Sequence, residues 1–187
     1  MPKFAADFTF KELFMNKNPI SSEGILLPKG KITAHFTWEE MLHSATLESY
    51  NKKNGTSYCN YPDAAQRANI AFLCERLEHI RERWGNPLRI GSAFRCNFVN
   101  KLVGGSATSH HLSGLAADLS CYDLEECFML TKYAMEDSYS CEVLLSVKTI
   151  ANLKTWWVHV AFATTPKQEK KFGIDLNGHV LSLKTSY

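Results

Sequence analysis

Hydrophobic spacing or capping residues predict helices in three parts of the chain. Over residues 63–84 an apolar residue returns every three or four positions, which predicts a long core helix. Two shorter helices are marked by capping pairs, Thr37 with Glu40 and Asp123 with Glu126. A polar cap followed three residues later by glutamate satisfies backbone N–H groups that have no partner within the helix, so both pairs indicate helix starts.

Strand-like patterns occupy mostly the second half of the chain. They cover residues 88–94, 115–122, 140–148, 155–163 and 179–185. Residues 97–103 are predicted to make a short helix, and residues 49–62 a loop. Helices that come early and strands that come late favour an α+β fold, with helices packed on an antiparallel sheet, over regular βαβ winding.

The length of 187 residues and the apolar content of 45% fit a single hydrophobic core. Residues 1–35 lack sustained periodicity and contain several prolines and glycines. We therefore expect them to form a leader that packs on one domain, made by residues 36–187.

Charge is nearly balanced, since 21 basic and 19 acidic residues give a formal net charge of +2. A nucleic-acid partner is not expected, because phosphate binding needs a concentrated basic surface. The N-terminal segment has acidic residues where a signal peptide has an apolar stretch, and no run reaches membrane-spanning length. We expect a monomer made in the cytoplasm without a signal peptide. The six cysteines form no CxxC pair, so mostly buried thiols are expected.

Two imidazoles and one carboxylate are candidate metal ligands. His111 and Asp118 lie seven residues apart across Gly114, in a segment typical of a loop that leads into a strand. His159 lies inside another strand-like segment. Held on rigid elements, two histidines and a carboxylate can bind a tetrahedral zinc ion and leave a fourth position for water, whose pKa the metal lowers. An isolated strand histidine is more often an interior residue than a metal ligand. The surrounding motif therefore decides which of the two interpretations applies to His159.

Three segments carry a resemblance to a known family: Ser92-Ala93-Phe94-Arg95, Ser109-x-His111-x-x-Gly114-x-Ala116-x-Asp118 and Trp157-Val158-His159-Val160. In them the chain resembles the zinc D-Ala-D-Ala carboxypeptidase-like peptidases, over roughly residues 36–163. The resemblance implies the α+β fold that these enzymes share with hedgehog signalling domains. It also implies hydrolysis of peptides from bacterial cell wall.

The resemblance assigns roles to individual residues. It implies that His111, Asp118 and His159 hold one Zn²⁺ ion. It implies that Arg95 anchors a substrate carboxylate or polarises the scissile carbonyl, tasks that suit a planar and permanently charged guanidinium. Ser109 is expected to orient the loop or a ligand through its hydroxyl group.

The general base is where the chain departs from the family. Members of the family carry an acidic residue at the positions taken here by Trp156 or Val147. Glu142 is therefore the first candidate for the base, and His110 is the second, because imidazole exchanges protons near neutral pH. Strand alternation is expected to place Trp157 in the cleft and Trp156 in the core.

Two classes of function remain open at this point. The first is a peptidoglycan peptidase acting on a stem or cross-link peptide, either as a carboxypeptidase or as an endopeptidase. The expected lack of a signal peptide favours a phage-type lysis enzyme, an endolysin, or a product released to the wall by a separate route. The alternative is a catalytically silent, zinc-bearing module that binds the cell wall or belongs to a virion, and the missing acidic residues favour it.

Overall fold

The computed structural model describes residues 20–22, 24–150, 153–176 and 179–186. The helices are α1 Trp38–Leu42, α2 Ala45–Asn54, α3 Ala64–Trp84, α4 Asn97–Leu102 and α5 Leu124–Glu136. The strands are β1 Ile20–Ser21, β2 Tyr58–Cys59, β3 Ile90–Ser92, β4 Ala116–Cys121, β5 Ser140–Ile150, β6 Leu153–Phe162, β7 Glu169–Leu176 and β8 His179–Ser186. This is the α+β fold that the sequence predicts.

The main sheet has six strands in the order β3-β4-β6-β5-β7-β8, and β1 pairs with β2 apart from it. All neighbours in the main sheet are antiparallel except β5 and β7, which run parallel. The predicted antiparallel sheet is thus found, with one parallel pair in it. Strand β7 does not pair with the preceding strand β6 but lies on the other side of β5. Because β6 runs opposite to β5 and β7 runs opposite to β6, β7 is parallel to β5.

Helix α3 forms as its hydrophobic pattern predicts. Asp63 caps its start, with the Gln66 side chain accepting from the Asp63 backbone in return. Gly85 ends it in the left-handed region at φ 73°, where glycine carries no steric penalty. The apolar face of α3 is buried in the core through Ile70, Leu73, Cys74, Leu77 and Ile80.

Two elements differ from the sequence prediction. Helix α2 runs through most of the segment expected to be a loop, with Ser44 as its cap. Leu47 is its buried residue, so the helix has almost no hydrophobic stripe to reveal it. Strand β7 is not among the strands that the sequence predicts. Polar residues obscure its pattern, and two of them, Lys171 and Asp175, lie on the same face of the strand.

The described part of the leader contacts the domain at helix α3. The Thr33 hydroxyl and the His35 backbone N–H both donate to Glu78, at 2.7 and 2.8 Å. Residues 1–19 of the predicted leader lie outside the described residues. Among the described helices, none is both long and apolar enough to cross a membrane.

The two faces of the main sheet have different environments. On β5, Val143, Leu145 and Val147 are buried, while the alternate residues Glu142 and Leu144 line an open cleft. Helix α5 packs on β5, on β6 and on α3, and so covers the apolar face. The cleft face is therefore where strand residues can meet a ligand.

Candidate metal centre and its cleft

His111 sits in the 3₁₀ turn His110–Ser113, which leads into β4. Gly114 ends this turn at φ 77°. A Cβ atom there would lie 2.9 Å from Cγ1 of Ile70 and 3.0 Å from the backbone oxygen of Gln66. Only glycine allows the turn to pass this close to α3, and that approach places His111 over the sheet.

Asp118 and His159 lie directly opposite each other on β4 and β6. Oδ1 of Asp118 is 2.9 Å from Nδ1 of His159 and 3.2 Å from Nε2 of His111. The two imidazole nitrogens are themselves 3.2 Å apart. Strand alternation and the glycine turn thus bring all three predicted ligands to one point, as a group that can hold a metal ion.

The protonation of His111 suits metal binding. Its Nδ1 lies 2.5 Å from the carbonyl oxygen of Ala93, which can only accept, so Nδ1 carries the proton. Burial lowers the pKa of His111, which leaves Nε2 with a free lone pair aimed at Asp118 and His159. Ligand atoms about 2.1 Å from a tetrahedral zinc ion are about 3.4 Å apart, and the separations found here are shorter than this by about 0.5 Å or less. The donor set therefore fits zinc.

The second oxygen of Asp118 is held by Arg95. Nη2 of Arg95 donates to Oδ2 of Asp118, and Nε of Arg95 donates to the Ser92 hydroxyl at 2.9 Å. Burial alone would raise the pKa of Asp118, but His111 and His159 outweigh it and hold the pKa well below its usual range. Asp118 is thus an ionised carboxylate with Oδ1 directed at the histidines.

A second polar cluster lies next to the metal ligands. Glu142 contacts His110 at 3.4 Å and accepts from Lys171 at 2.5 Å. The contact with His110 is the main cause that lowers the pKa of Glu142 to about 2. The other ring nitrogen of His110 lies 3.9 Å from Sγ of Cys141, and this contact, followed by Glu142, raises the pKa of His110 to about 10.

A single cleft of about 970 Å³ contains this whole arrangement. It lies on the sheet face away from α5, with the loop of residues 104–109 along one side. The cleft brings together every site residue predicted from the sequence: Arg95, Ser109, His110, His111, Asp118, Glu142, Trp157 and His159. Their shared location is a finding of the structure, whereas the individual roles stay predictions.

Residues 34–160 match the family described as Peptidase M15. The chain belongs to this family. The match covers well over half of the chain, and it includes both ligand-bearing segments. No curated protein matches the chain. Membership confirms the resemblance to the zinc D-Ala-D-Ala carboxypeptidase-like peptidases and supports peptide-bond hydrolysis by a metallopeptidase.

Neither of the two positions at which this M15 peptidase departs from the family pattern lines the cleft. Trp156 is partly buried against the core, and Val147 is 8% exposed on the helix-covered face of the sheet. Glu142, by contrast, lines the cleft.

The cleft residues of this M15 peptidase that sequence reasoning missed include four polar ones on β5 and β7: Ser146, Lys148, Lys171 and Asp175. A signal for two of them was present, because alternation from Glu142 places Ser146 and Lys148 on the same face of β5. Lys171 and Asp175 required knowledge of β7, which the pattern did not predict.

Proposed function

We propose that this M15 peptidase is a zinc-dependent peptidoglycan peptidase that hydrolyses a peptide bond in a wall stem or cross-link peptide. The observation that supports it is the convergence of Nε2 of His111, Oδ1 of Asp118 and Nδ1 of His159 within 2.9–3.2 Å in an open cleft. Three ligands of this kind leave a coordination position open, which is the arrangement of a catalytic zinc rather than a structural one.

Bound zinc would supply a Lewis acid that polarises the scissile carbonyl and activates water. The residues around it have separate tasks. Arg95 fixes the carboxylate of Asp118 and, because it also lines the cleft, presents a permanent positive charge to a substrate carbonyl or carboxylate. Ser109 and Trp157 flank the substrate from the loop side and the strand side of the cleft.

Glu142 and His110 are the acid and base pair of this proposal. Both line the cleft, and their contact orients the carboxylate while Lys171 holds its other oxygen. Glu142 accepts the proton that water loses, and His110 delivers a proton to the departing amine. Their shared location in the cleft supports this assignment, since a general base must lie within reach of the reacting atoms.

The wall is the site of action that this substrate requires. We propose that the chain is made in the cytoplasm and reaches peptidoglycan by a separate route, such as phage-type lysis. A peptide with charged groups suits the cleft, since cationic and anionic side chains both line it.

A second candidate is a catalytically silent, zinc-bearing wall-binding module. The identity of Trp156 and Val147 favours it, because members of the family carry an acidic residue at one or the other of these positions. The two candidates share the metal and the cleft but differ in turnover.

Release of soluble peptides or D-alanine from purified peptidoglycan, followed by mass spectrometry, separates these candidates. Zinc-loaded wild type and His43→Ala, a control at an exposed histidine outside the cleft, should both release fragments. His111→Ala and chelator-treated protein should release none. Wild type that binds one zinc per chain yet releases nothing from several wall types would establish the binding module instead.

A further inference from the structure

A second pocket lies between helix α5 and strand β7, on the face of the main sheet opposite the metal cleft. Helix α5 packs on β5 and β6, whereas β7 extends the sheet on the other side of β5. The pocket has a volume of about 920 Å³ and is lined from within residues 131–138 and 167–172. We call it the α5–β7 pocket. None of its described lining residues also lines the metal cleft, so the two sites are separate.

Two apolar side chains belong to the lining of the α5–β7 pocket. Phe172 lies opposite Val143 in the pairing of β7 with β5, and Val143 is buried on the helix-covered face. Met135 of α5 and Phe172 both line the pocket and are only partly buried. Sites for small ligands are usually pockets of about 300–1,000 Å³ with a mainly apolar lining and a few polar groups. The pocket therefore has the size and the lining of a ligand site.

Thr131 supplies a polar group that has no partner in the described part of the chain. The residue is 6% exposed, and it lines the pocket. Its hydroxyl is buried and forms no hydrogen bond with any described residue. Buried polar groups in folded proteins are nearly always hydrogen-bonded, and a threonine in a helix can bond a carbonyl oxygen of the preceding turn. A hydroxyl that does neither, in the wall of a pocket, indicates a ligand as its partner.

The lining of the α5–β7 pocket carries more positive than negative charge. Lys132 and Lys167 are exposed and form no ion pair with any described residue. Lys170, which donates to backbone oxygens at the end of α5, adds a third positive charge. The acidic group among the described lining residues, Glu136, is paired with Arg83. The pocket is therefore complementary to an anion.

We propose that the α5–β7 pocket binds the carboxylate end of an aliphatic ligand, of which a medium-chain fatty acid is the simplest example. The Thr131 hydroxyl donates to a carboxylate oxygen, and Lys132 and Lys167 neutralise the charge of that carboxylate. The aliphatic chain packs on Met135 and Phe172. Binding gives the threonine hydroxyl its missing partner and removes apolar surface from water. This site depends neither on the metal nor on the proposed peptidase activity.

The test compares octanoate with 1-octanol, which has the same chain without the charge. Binding to the full chain is followed by amide NMR titration, in chelator to exclude binding to zinc. Thr131→Val removes the hydroxyl and keeps the side-chain shape, and a double variant, Lys132→Met with Lys167→Met, removes both exposed charges. The matched controls are Thr46→Val and Lys101→Met, at exposed positions of α2 and α4 outside the pocket.

Wild type and both controls should bind octanoate about ten-fold more tightly than 1-octanol, the effect of one charge-assisted hydrogen bond. The amide shifts should centre on the second half of α5 and on β7. Thr131→Val and the double lysine variant should lose the preference for octanoate. Without ligand, Thr131→Val should unfold at the wild-type temperature or above it, because its hydroxyl has no hydrogen bond to lose.

Four results would overturn the site. They are the absence of saturable octanoate binding, equal affinities of wild type for the two ligands, a preference that either the Thr131→Val or the double lysine variant keeps, and amide shifts centred on the metal cleft. Loss of the preference in Thr131→Val, with its unfolding temperature retained, shows that the hydroxyl acts on the ligand rather than on the fold.

Discussion

Arg95 donates a hydrogen bond from Nη2 to Oδ2 of Asp118, the carboxylate oxygen that does not face the histidines. Oδ1 is left to point at His111 and His159. The backbone N–H of Arg95 also donates to the carbonyl oxygen of His111, at 3.1 Å. One arginine thus ties the strand ligand and the turn ligand together, and partners of this kind orient metal ligands in known sites.

Replacing Arg95 with methionine should weaken zinc binding by about ten-fold or more, because the Asp118 carboxylate loses the group that fixes its direction. Competition with a chromophoric chelator measures the zinc Kd. Arg83→Met removes a more exposed arginine that pairs with Glu136 away from the cleft, and should leave the zinc Kd unchanged. An Arg95→Met protein with the wild-type zinc Kd would show that Arg95 does not orient the metal ligand and acts on the substrate only.

Glu142→Gln should lower kcat by about a hundred-fold or more, because the amide cannot accept a proton and general base catalysis has that magnitude. Zinc content should stay at the wild-type level, since Glu142 is not among the converging ligands. The measurement is the initial rate of wall-peptide hydrolysis with metal analysis of the same sample. Glu125→Gln, at an exposed position of α5, is the matched control. Full activity in Glu142→Gln would show that Glu142 is not the general base.

Gly114→Ala should reduce the free energy of unfolding by about 2 kcal/mol or more, because the new methyl group meets α3 and the backbone keeps a positive φ. Gly55→Ala separates the two causes. Its φ is 63° and a Cβ atom there has no neighbour within 4 Å, so about 1 kcal/mol is expected. Urea unfolding measures both variants, and equal losses would show that the contact with α3 is not strained.

Glu78 should contribute a pH-dependent part of the stability. Burial alone would raise its pKa, but the hydrogen bonds from Thr33 and His35 outweigh it and lower the pKa. A carboxyl whose pKa is lower in the folded state stabilises the protein above its unfolded pKa, and this contribution is lost as pH falls through the folded pKa. Glu78→Gln should therefore cost about 1 kcal/mol at pH 7 and less at pH 3.

Urea unfolding at both pH values checks the prediction for Glu78. Glu82→Gln, at an exposed position on the same helix, should leave stability nearly unchanged at either pH. A Glu78→Gln loss that is the same at pH 7 and pH 3 would contradict an ionic origin.

Much of the fold was predictable where the signal is local. Helix α3 is marked by its own apolar stripe and by Gly85, and the cap at Asp123 marks the start of α5. Helix α2 was not predicted, because a helix that buries few apolar side chains has no hydrophobic stripe in its sequence. Strand β7 was not predicted because Lys170 and Lys171 interrupt any apolar alternation. In the fold, Lys170 donates to the backbone oxygen of Asp137 and Lys171 donates to Glu142.

The sequence by itself identified the three candidate metal ligands. The seven-residue spacing from His111 to Asp118 across Gly114, with His159 on a second strand, is a local pattern that the family match also covers. Only the tertiary structure decided what surrounds them. The contact of His110 with Glu142 and the pairing of Ser146 with Asp175 each join residues about thirty positions apart, and the packing and register of the strands set such contacts. Register follows from packing of the whole sheet, which no single segment encodes.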